Sequence, residues 1–413
     1  MKTVALCWTL ASLAALASLS IVPSFGQTKK LGEIVVPENF ITHDDLAGST
    51  FSSTVWDTLS YHRLQTVRED FIVNRGCGEY ATDQSTPIIT YADDGSSLWL
   101  WTDNRTGAAK ILGQLYLPNG ERFGGALNIS QDSSPWNLRP DCAFNPVTGE
   151  YLIVWAEPYD VKLLRLSRLG KLIGQPRNLN AYWRSNTNYP SIAIGNDGSF
   201  IVTWYGDLYC CLNVQAYFRV FDQSANPLTD DMPLMRQPAI SVSSIGGIRR
   251  IAADDRGNFV ITWSSFVGGG HHIFIQPVNQ NGFLTTAPVI VSDSTISRYN
   301  VFPSITSTPD GYFLIAWHSS TISPATNMIA ARVYQRDSGF VTSTPLPFVQ
   351  TTTSTSFLCT SGNDRFYLVW IDTASRGTRI GKHGQVIGSP VLMPLSPQLR
   401  YWYSASLVYL VGA

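Results

Sequence analysis

Carboxylates recur in this chain two or three residues beyond a tryptophan. Trp101 is followed by Asp103, Trp155 by Glu157, Trp204 by Asp207 and Trp370 by Asp372. Acid–base cleavage of a glycosidic bond needs two carboxylates flanking it. Asp103, Glu157 and Asp372 are therefore the candidate catalytic acids, provided the fold gathers them around one axis. Between the tryptophan-ending segments lie long polar stretches that carry Arg139, Trp183, Arg184, Tyr205, Arg249, Arg298 and His318. Aromatic rings stack on sugar faces, while guanidinium groups and carboxylates bond hydroxyls, so these seven are the candidate ligand-binding residues.

Other chemistries lack their residues. The chain has no Ser-His-Asp motif, no Gly-rich phosphate loop and no CxxC pair. His271 and His272 are adjacent in a Gly-rich loop, an arrangement that points two imidazoles apart, so no metal site is expected there. The Asp-Gly pairs read as turn chemistry, since no EF-hand loop follows any of them. No cofactor is expected.

The elements that must hold these residues announce themselves as a repeat. "FIVTW" at 200–204 is answered by "FVITW" at 259–263 and "FLIAW" at 313–317. Trp101, Trp155, Trp204, Trp263, Trp317 and Trp370 follow one another at intervals of 49 to 59 residues. About a dozen residues upstream of each, a strand begins, often at a proline, as in "TPIITY", "RPDCAF", "YPSIAI" and "FPSITS". A Gly-containing turn then precedes the Trp-ending strand. A third strand, such as "NVQAYFRVF" or "MIAARVY", runs into a second turn and a short fourth strand. In "FIVTW" both alternating sets are largely apolar, as expected for a strand covered on both faces.

Four strands per unit at a period near fifty predict an all-β fold, a β-propeller of four-stranded blades. The tryptophans are read as core wedges, not a ligand cage; burying one is worth up to about 4–6 kcal/mol by area. The chain length gives about seven blades, with six as the alternative. Six Trp-containing blades span 84–394, and 27–83 is an N-terminal extension supplying part of a closing blade. The last strands, at 395–413, complete that blade and leave no exposed edge.

The first 26 residues, a Lys followed by a short apolar run and small residues, read as a signal peptide, so the mature chain is expected to be secreted or periplasmic. The charge of the full sequence is balanced, with 29 Lys and Arg against 30 Asp and Glu, and no basic stripe supports nucleic-acid binding. Nothing after the signal peptide is long and apolar enough to insert in a membrane. A monomer is expected. Five cysteines remain; Cys142 and Cys359 fall in strand-like runs and read as buried thiols, while Cys77 lies in a loop, as do Cys210 and Cys211, either of which could pair with it.

The pattern P-x-I-x-x-x-x-x-G-x-F-x-[IV]-x-W, followed by a strand such as "VQAYFRVFD", resembles secreted bacterial β-propeller repeat proteins, and at a distance the sialidase and Asp-box propellers. The Asp-box itself is not met, because Trp317 falls too far beyond Asp310-Gly311. A sialidase-like site would imply an arginine cluster, for which Arg139, Arg249 and Arg298 are the candidates, with a tyrosine beside an acid. In a propeller the connections after the second and fourth strands share one face, and here they are the long ones. The leading expectation is a non-catalytic exported propeller that binds a glycan or surface protein through that face. The alternatives are a glycoside hydrolase or polysaccharide lyase with acids near the central channel, and a structural module of an envelope assembly.

Overall fold

The computed structural model describes residues 84–392, except 106, 132–137, 183–184, 208–213, 235–249, 294–298, 323–324, 352–355, 363 and 372–374. The signal peptide, Cys77, Cys210, Cys211, Trp183, Arg184, Arg249, Arg298, Asp372 and the segments assigned to a closing blade lie outside the described residues.

Six antiparallel meanders follow in chain order, each built around one of the repeated tryptophans. The first comprises β1 (Gln84–Tyr91), β2 (Ser97–Asp103), β3 (Lys110–Tyr116) and β4 (Arg122–Asn128). The second comprises β5 (Leu138–Asn145), β6 (Glu150–Ala156), β7 (Val161–Ser167) and β8 (Leu172–Asn178). The third is β9 (Ser185–Ile194), β10 (Phe200–Asp207), β11 (Val214–Phe221) and the two-residue β12 (Met232–Pro233). In the fourth, β13 (Ile251–Ala253), β14 (Phe259–Val267) and β15 (Gly270–Val278) precede a two-residue β16 (Val289–Ile290). The fifth has β17 (Tyr299–Ser307), β18 (Tyr312–Ile322) and β19 (Ala325–Gln335), with β20 (Gly339–Phe340) and β21 (Leu346–Thr351) both pairing with β19. The sixth is β22 (Ser356–Ser361), β23 (Arg365–Ile371), β24 (Ser375–Gly381) and β25 (Val386–Leu392).

The first strands of successive meanders lie next to one another in chain order, which makes them the inner strands of propeller blades. Among the described residues they are not laddered together. A single parallel pair, His271 of the third strand β15 with Tyr299 of β17, joins the fourth and fifth blades into one sheet. No sheet among the described residues closes on itself.

The second strand of each blade is the buried one, because it is covered on both faces. Every residue of β2 is buried, and all of β6 but its first. Trp204 and Val202 pack with Leu152 and Val154 of the preceding blade, while Ile201 turns the other way, toward Ile261 and Trp263 of the next. Trp155, Trp263, Trp317 and Trp370 likewise meet the blade before their own. The tryptophans are wedges between blades, as the alternation in "FIVTW" predicts.

On the face formed by the short turns, polar side chains tie neighbouring blades. Arg168 of the second blade pairs with Asp94 of the first at 2.9 Å, and Lys382 of the sixth with Asp310 of the fifth at 2.6 Å. Arg336 of the fifth blade pairs in the same way with Asp254 of the fourth. Burial opposes ionisation of Asp310, but Lys382 and the Thr308 hydroxyl outweigh it and hold this carboxyl below its ordinary range. The Asp-Gly turns thus supply turn geometry and blade-to-blade ion pairs. Among the described residues, no group of three His, Cys, Asp or Glu could hold a metal.

Candidate active site at the mouth of the inner strands

The inner strands open in a recurrent irregularity. In four blades the residue before the strand's proline has a left-handed backbone: Thr86, Arg139, Tyr189 and Phe302, with φ of 51°, 55°, 51° and 55°. Each lies where the pairing to the second strand slips register. Proline has no N–H to give the ladder, so a bulge forms there and re-aims the side chain that precedes it. Left-handed φ at a non-glycine residue costs about 1–3 kcal/mol. Its recurrence at one place in the fold, on the long-loop face, marks the mouth of the inner strands as built for something other than stability.

Three consecutive blades bring charged and aromatic groups together at that mouth. The Arg139 guanidinium stacks on the Tyr189 ring, 3.5 Å from its centroid. Arg250, immediately before β13, lies 5.2 Å from the Tyr189 ring and 5.2 Å from the Tyr205 ring. The two tyrosines meet edge to face at 6.4 Å. Arg250 is only 4% exposed; its Nη2 donates to the Tyr189 carbonyl, and its Nε and Nη1 have no hydrogen-bond partner. Beneath them, Asp141 Oδ2 accepts from Ser191 Oγ at 2.9 Å and from the Ile192 N–H at 3.0 Å. The Arg250 N–H reaches the same serine oxygen at 3.4 Å. Burial, together with repulsion from Arg250, sets the Arg139 guanidinium below its ordinary pKa, against the opposing pull of Tyr189. Burial raises the Tyr205 phenol, opposed by Arg250.

Of the acids nominated from sequence, the two described ones, Asp103 and Glu157, stand elsewhere on the same face. Asp103 accepts from the Trp101 indole at 3.3 Å and is clamped by Arg105, whose Nε lies 2.8 Å from Oδ2. Glu157 accepts from the Trp155 indole at 3.4 Å, with Lys162 Nζ 3.6 Å away. Both therefore cap the buried indole of their own blade. Of the nominated ligand-binding residues, Arg139 and Tyr205 are brought together. His318 is buried one residue beyond Trp317, and burial lowers its pKa.

Tyr189, Asp141 and Arg250 complete the cluster, and neither Tyr189 nor Asp141 was nominated. Their signal lay in the start of the inner strand: Arg139 and Tyr189 both precede the blade's proline, and Asp141 breaks a run that is otherwise Ile or Ser. A second aromatic group sits farther round the face. His271 meets Phe266 at 5.1 Å and Tyr299 at 4.9 Å, and Phe266, Tyr299 and Phe302 are exposed. His272 turns away, with Nδ1 3.5 Å from Ser292 Oγ, so the two histidines do not converge.

No protein-family model and no curated protein sequence matches the chain. Solved structures do. A protein of unknown function from Dyadobacter fermentans is similar over 76% of this chain and 93% of its own, with 10% identity and a TM-score of 0.51. An α-L-arabinanase from Penicillium chrysogenum, solved with arabinobiose, matches over 75% of this chain and 93% of its own, at 11% identity and a TM-score of 0.45. The family-93 α-L-arabinofuranosidase of Fusarium graminearum covers 62% and 80%, at 10% identity and a TM-score of 0.43. The likeness is one of fold: an all-β propeller. The two of these structures with a named activity are glycoside hydrolases and not binding modules, so the leading expectation of a non-catalytic propeller is corrected and not kept; the likeness itself carries the fold alone.

Proposed function

We propose that the chain is a glycan-active enzyme, a glycoside hydrolase or polysaccharide lyase, working at the mouth of the inner strands on its long-loop face. The observation that carries this reading is the convergence of Arg139, Tyr189, Tyr205 and Arg250 over Asp141, from three consecutive blades. Rings beside guanidinium groups offer both the stacking surface and the donors that a sugar needs. The catalytic carboxylates in this proposal are Glu157 and Asp372, with Asp103 third. Glu157 is held by contacts of 3.4 and 3.6 Å, whereas Asp103 would have to leave a bidentate clamp. The test is a depolymerisation screen of the purified protein against plant, bacterial and animal polysaccharides, reading new reducing ends and unsaturated sugar products. Turnover that falls at least 100-fold in Glu157→Gln, with unfolding unchanged, supports the proposal; no product from any polysaccharide overturns it.

The proposal extends to the ring and its location. Trp101 is 2% exposed, yet among the described residues its cluster holds only members of its own blade. In every other blade this face packs on the preceding one. That supports a seventh, closing blade drawn from 27–83 and 395–413; the proposal also keeps a monomer exported behind a 26-residue signal peptide, on the sequence alone.

A further inference from the structure

We infer that the junction of the second, third and fourth blades is a carboxylate subsite, so that the glycan taken at this mouth carries a uronic acid. The inference rests on the proposed glycan-active reading for the nature of the scaffold that bears the anion; the anion site itself is argued from the side chains alone.

Two guanidinium groups stand on the Tyr189 ring and beside it, and neither joins an ion pair among the described residues. The carboxylate in the same cluster, Asp141, spends its oxygens on Ser191 Oγ, the Ile192 N–H and the Cys142 N–H. A buried guanidinium N–H without an acceptor costs the whole of its desolvation. Arg250 bears that cost at two nitrogens, Nε and Nη1, while a third is spent holding the carbonyl of the strained residue Tyr189. Elsewhere Arg219 donates to the carbonyls of Thr229 and Leu179, and Arg332 to those of Thr342, Ser343 and Val291, while Arg122, on the outer strand β4, leaves one buried nitrogen, Nε, without a partner. Among the described residues Arg250 is set apart by two such nitrogens, and by their place at the mouth.

The chemistry selects a carboxylate. A guanidinium stacked on a ring keeps its donors in the plane parallel to that ring, so its edge remains available. Two planar forks match the two coplanar oxygens of a carboxylate better than the tetrahedral oxygens of a sulfate ester. An anion between them also relieves the repulsion that Arg250 exerts on Arg139. A sugar is a suitable bearer because Phe302, exposed at the equivalent bulge of the fifth blade, offers a ring face farther round the mouth for a neighbouring unit.

Calorimetric titration of the purified protein tests this, using galacturonate and glucuronate oligosaccharides, their methyl esters, a neutral arabino-oligosaccharide and a sulfated neutral one. The expected result is binding of at least one uronate at least 10-fold tighter than its ester, with that preference lost in Arg139→Gln and Arg250→Gln. Arg139 is partly exposed, so Arg139→Gln keeps the test open if the Arg250 variant fails to fold; Arg250→Lys, which retains the charge without the fork, should recover only part of the preference. Equal affinity for acid and ester, a preference unchanged in Arg139→Gln, or a sulfated ligand bound as tightly as the uronate overturns the inference. The two readings fail separately. Turnover confined to neutral polysaccharides removes the uronate and keeps the enzyme, whereas ester-sensitive uronate binding without any turnover keeps the subsite and removes the enzyme.

Discussion

Ser191 donates to Asp141 across the boundary between the third and second blades, hydroxyl to carboxylate, at 2.9 Å. The bond stands for a general device. The inner strands are joined by side chains and not by ladders: Thr90 Oγ1 donates to the Cys142 carbonyl at 2.7 Å, Ser307 Oγ to the Ala253 carbonyl at 2.5 Å, and Thr306 Oγ1 to Ser361 Oγ at 3.0 Å. Small hydroxyl side chains on "PSIAI" and "PSITS" thus serve as rivets between blades. Adjacent blades can then twist freely while their buried polar atoms remain satisfied.

Replacing Asp141 should loosen the second and third blades together. Asp141→Asn retains one acceptor oxygen for three donors, Ser191 Oγ and the Ile192 and Cys142 N–H groups. A loss of about 1.5–3 kcal/mol is expected, since bonds to an ionised acceptor are worth that much. Ser191→Ala should cost about 1 kcal/mol, and the double variant less than the two losses added. Urea unfolding of the four proteins measures the coupling; strict additivity would show that the two side chains act independently.

Much of this architecture was legible in sequence, and for identifiable reasons. A tryptophan at a fixed register in a two-sided apolar strand has one physical use, so Trp155, Trp204 and Trp317 gave away the blades. The site was less legible. Asp103 and Glu157 drew attention because acids following a tryptophan look functional, yet the same spacing lets each accept from its own indole. Arg139 and Tyr205 could be nominated because in sequence they lie beside the long stretches between blades, although the structure puts them at the ends of β5 and β10. Tyr189 comes from the inner strand of Tyr205's own blade and Arg250 from the next, and which blade positions share the mouth is decided largely by bulges that sequence shows only as a residue before proline.

Gly282 should resist substitution because of the neighbouring blade. It lies in the turn between β15 and β16 at φ +83°, and a Cβ there would come 2.2 Å from Thr229 Cγ2 of the third blade. Gly282→Ala therefore combines left-handed strain with a clash, for a loss of about 1–3 kcal/mol. Thr229→Ser removes the offending methyl and keeps the hydroxyl that accepts from the Val220 N–H at 3.0 Å. Added to Gly282→Ala, it should restore the clash part of the loss and leave the strain. Thermal unfolding of the single and double variants reads this directly, and no rescue would place the whole cost in the backbone.

Cys142 and Cys359 should be unreactive while the protein is folded. Both are buried between blades, and the Cys359 Sγ donates to Ser304 Oγ at 3.3 Å. Reactivity requires an accessible thiolate, and these side chains behave as small apolar wedges. Alkylation mapped by peptide mass spectrometry should leave both unmodified in buffer and label both in denaturant. Modification at native rates equal to the unfolded rates would mean that the inner strands open readily.

Mild acid should destabilise the fold through His318 before it reaches the carboxylates. His318 is 4% exposed, and burial lowers its pKa beneath the ordinary 6.5. A base with a depressed folded pKa binds its proton more readily in the unfolded chain, so stability falls as pH drops below about 6.5. While the folded ring stays neutral, the slope approaches about 1.4 kcal/mol per pH unit. Asp94 and Asp310 work in a lower window: hydrogen bonds and a cation hold their folded pKa below 3.8, and their stabilisation is lost only as pH falls past that range. His271, lowered by burial and by His272, adds to the histidine step. Urea midpoints measured from pH 7 to 3 should therefore decline between pH 7 and 5, and His318→Gln should flatten that decline without altering the fall below pH 4. An undiminished slope in the variant would assign the acid sensitivity to His271 instead.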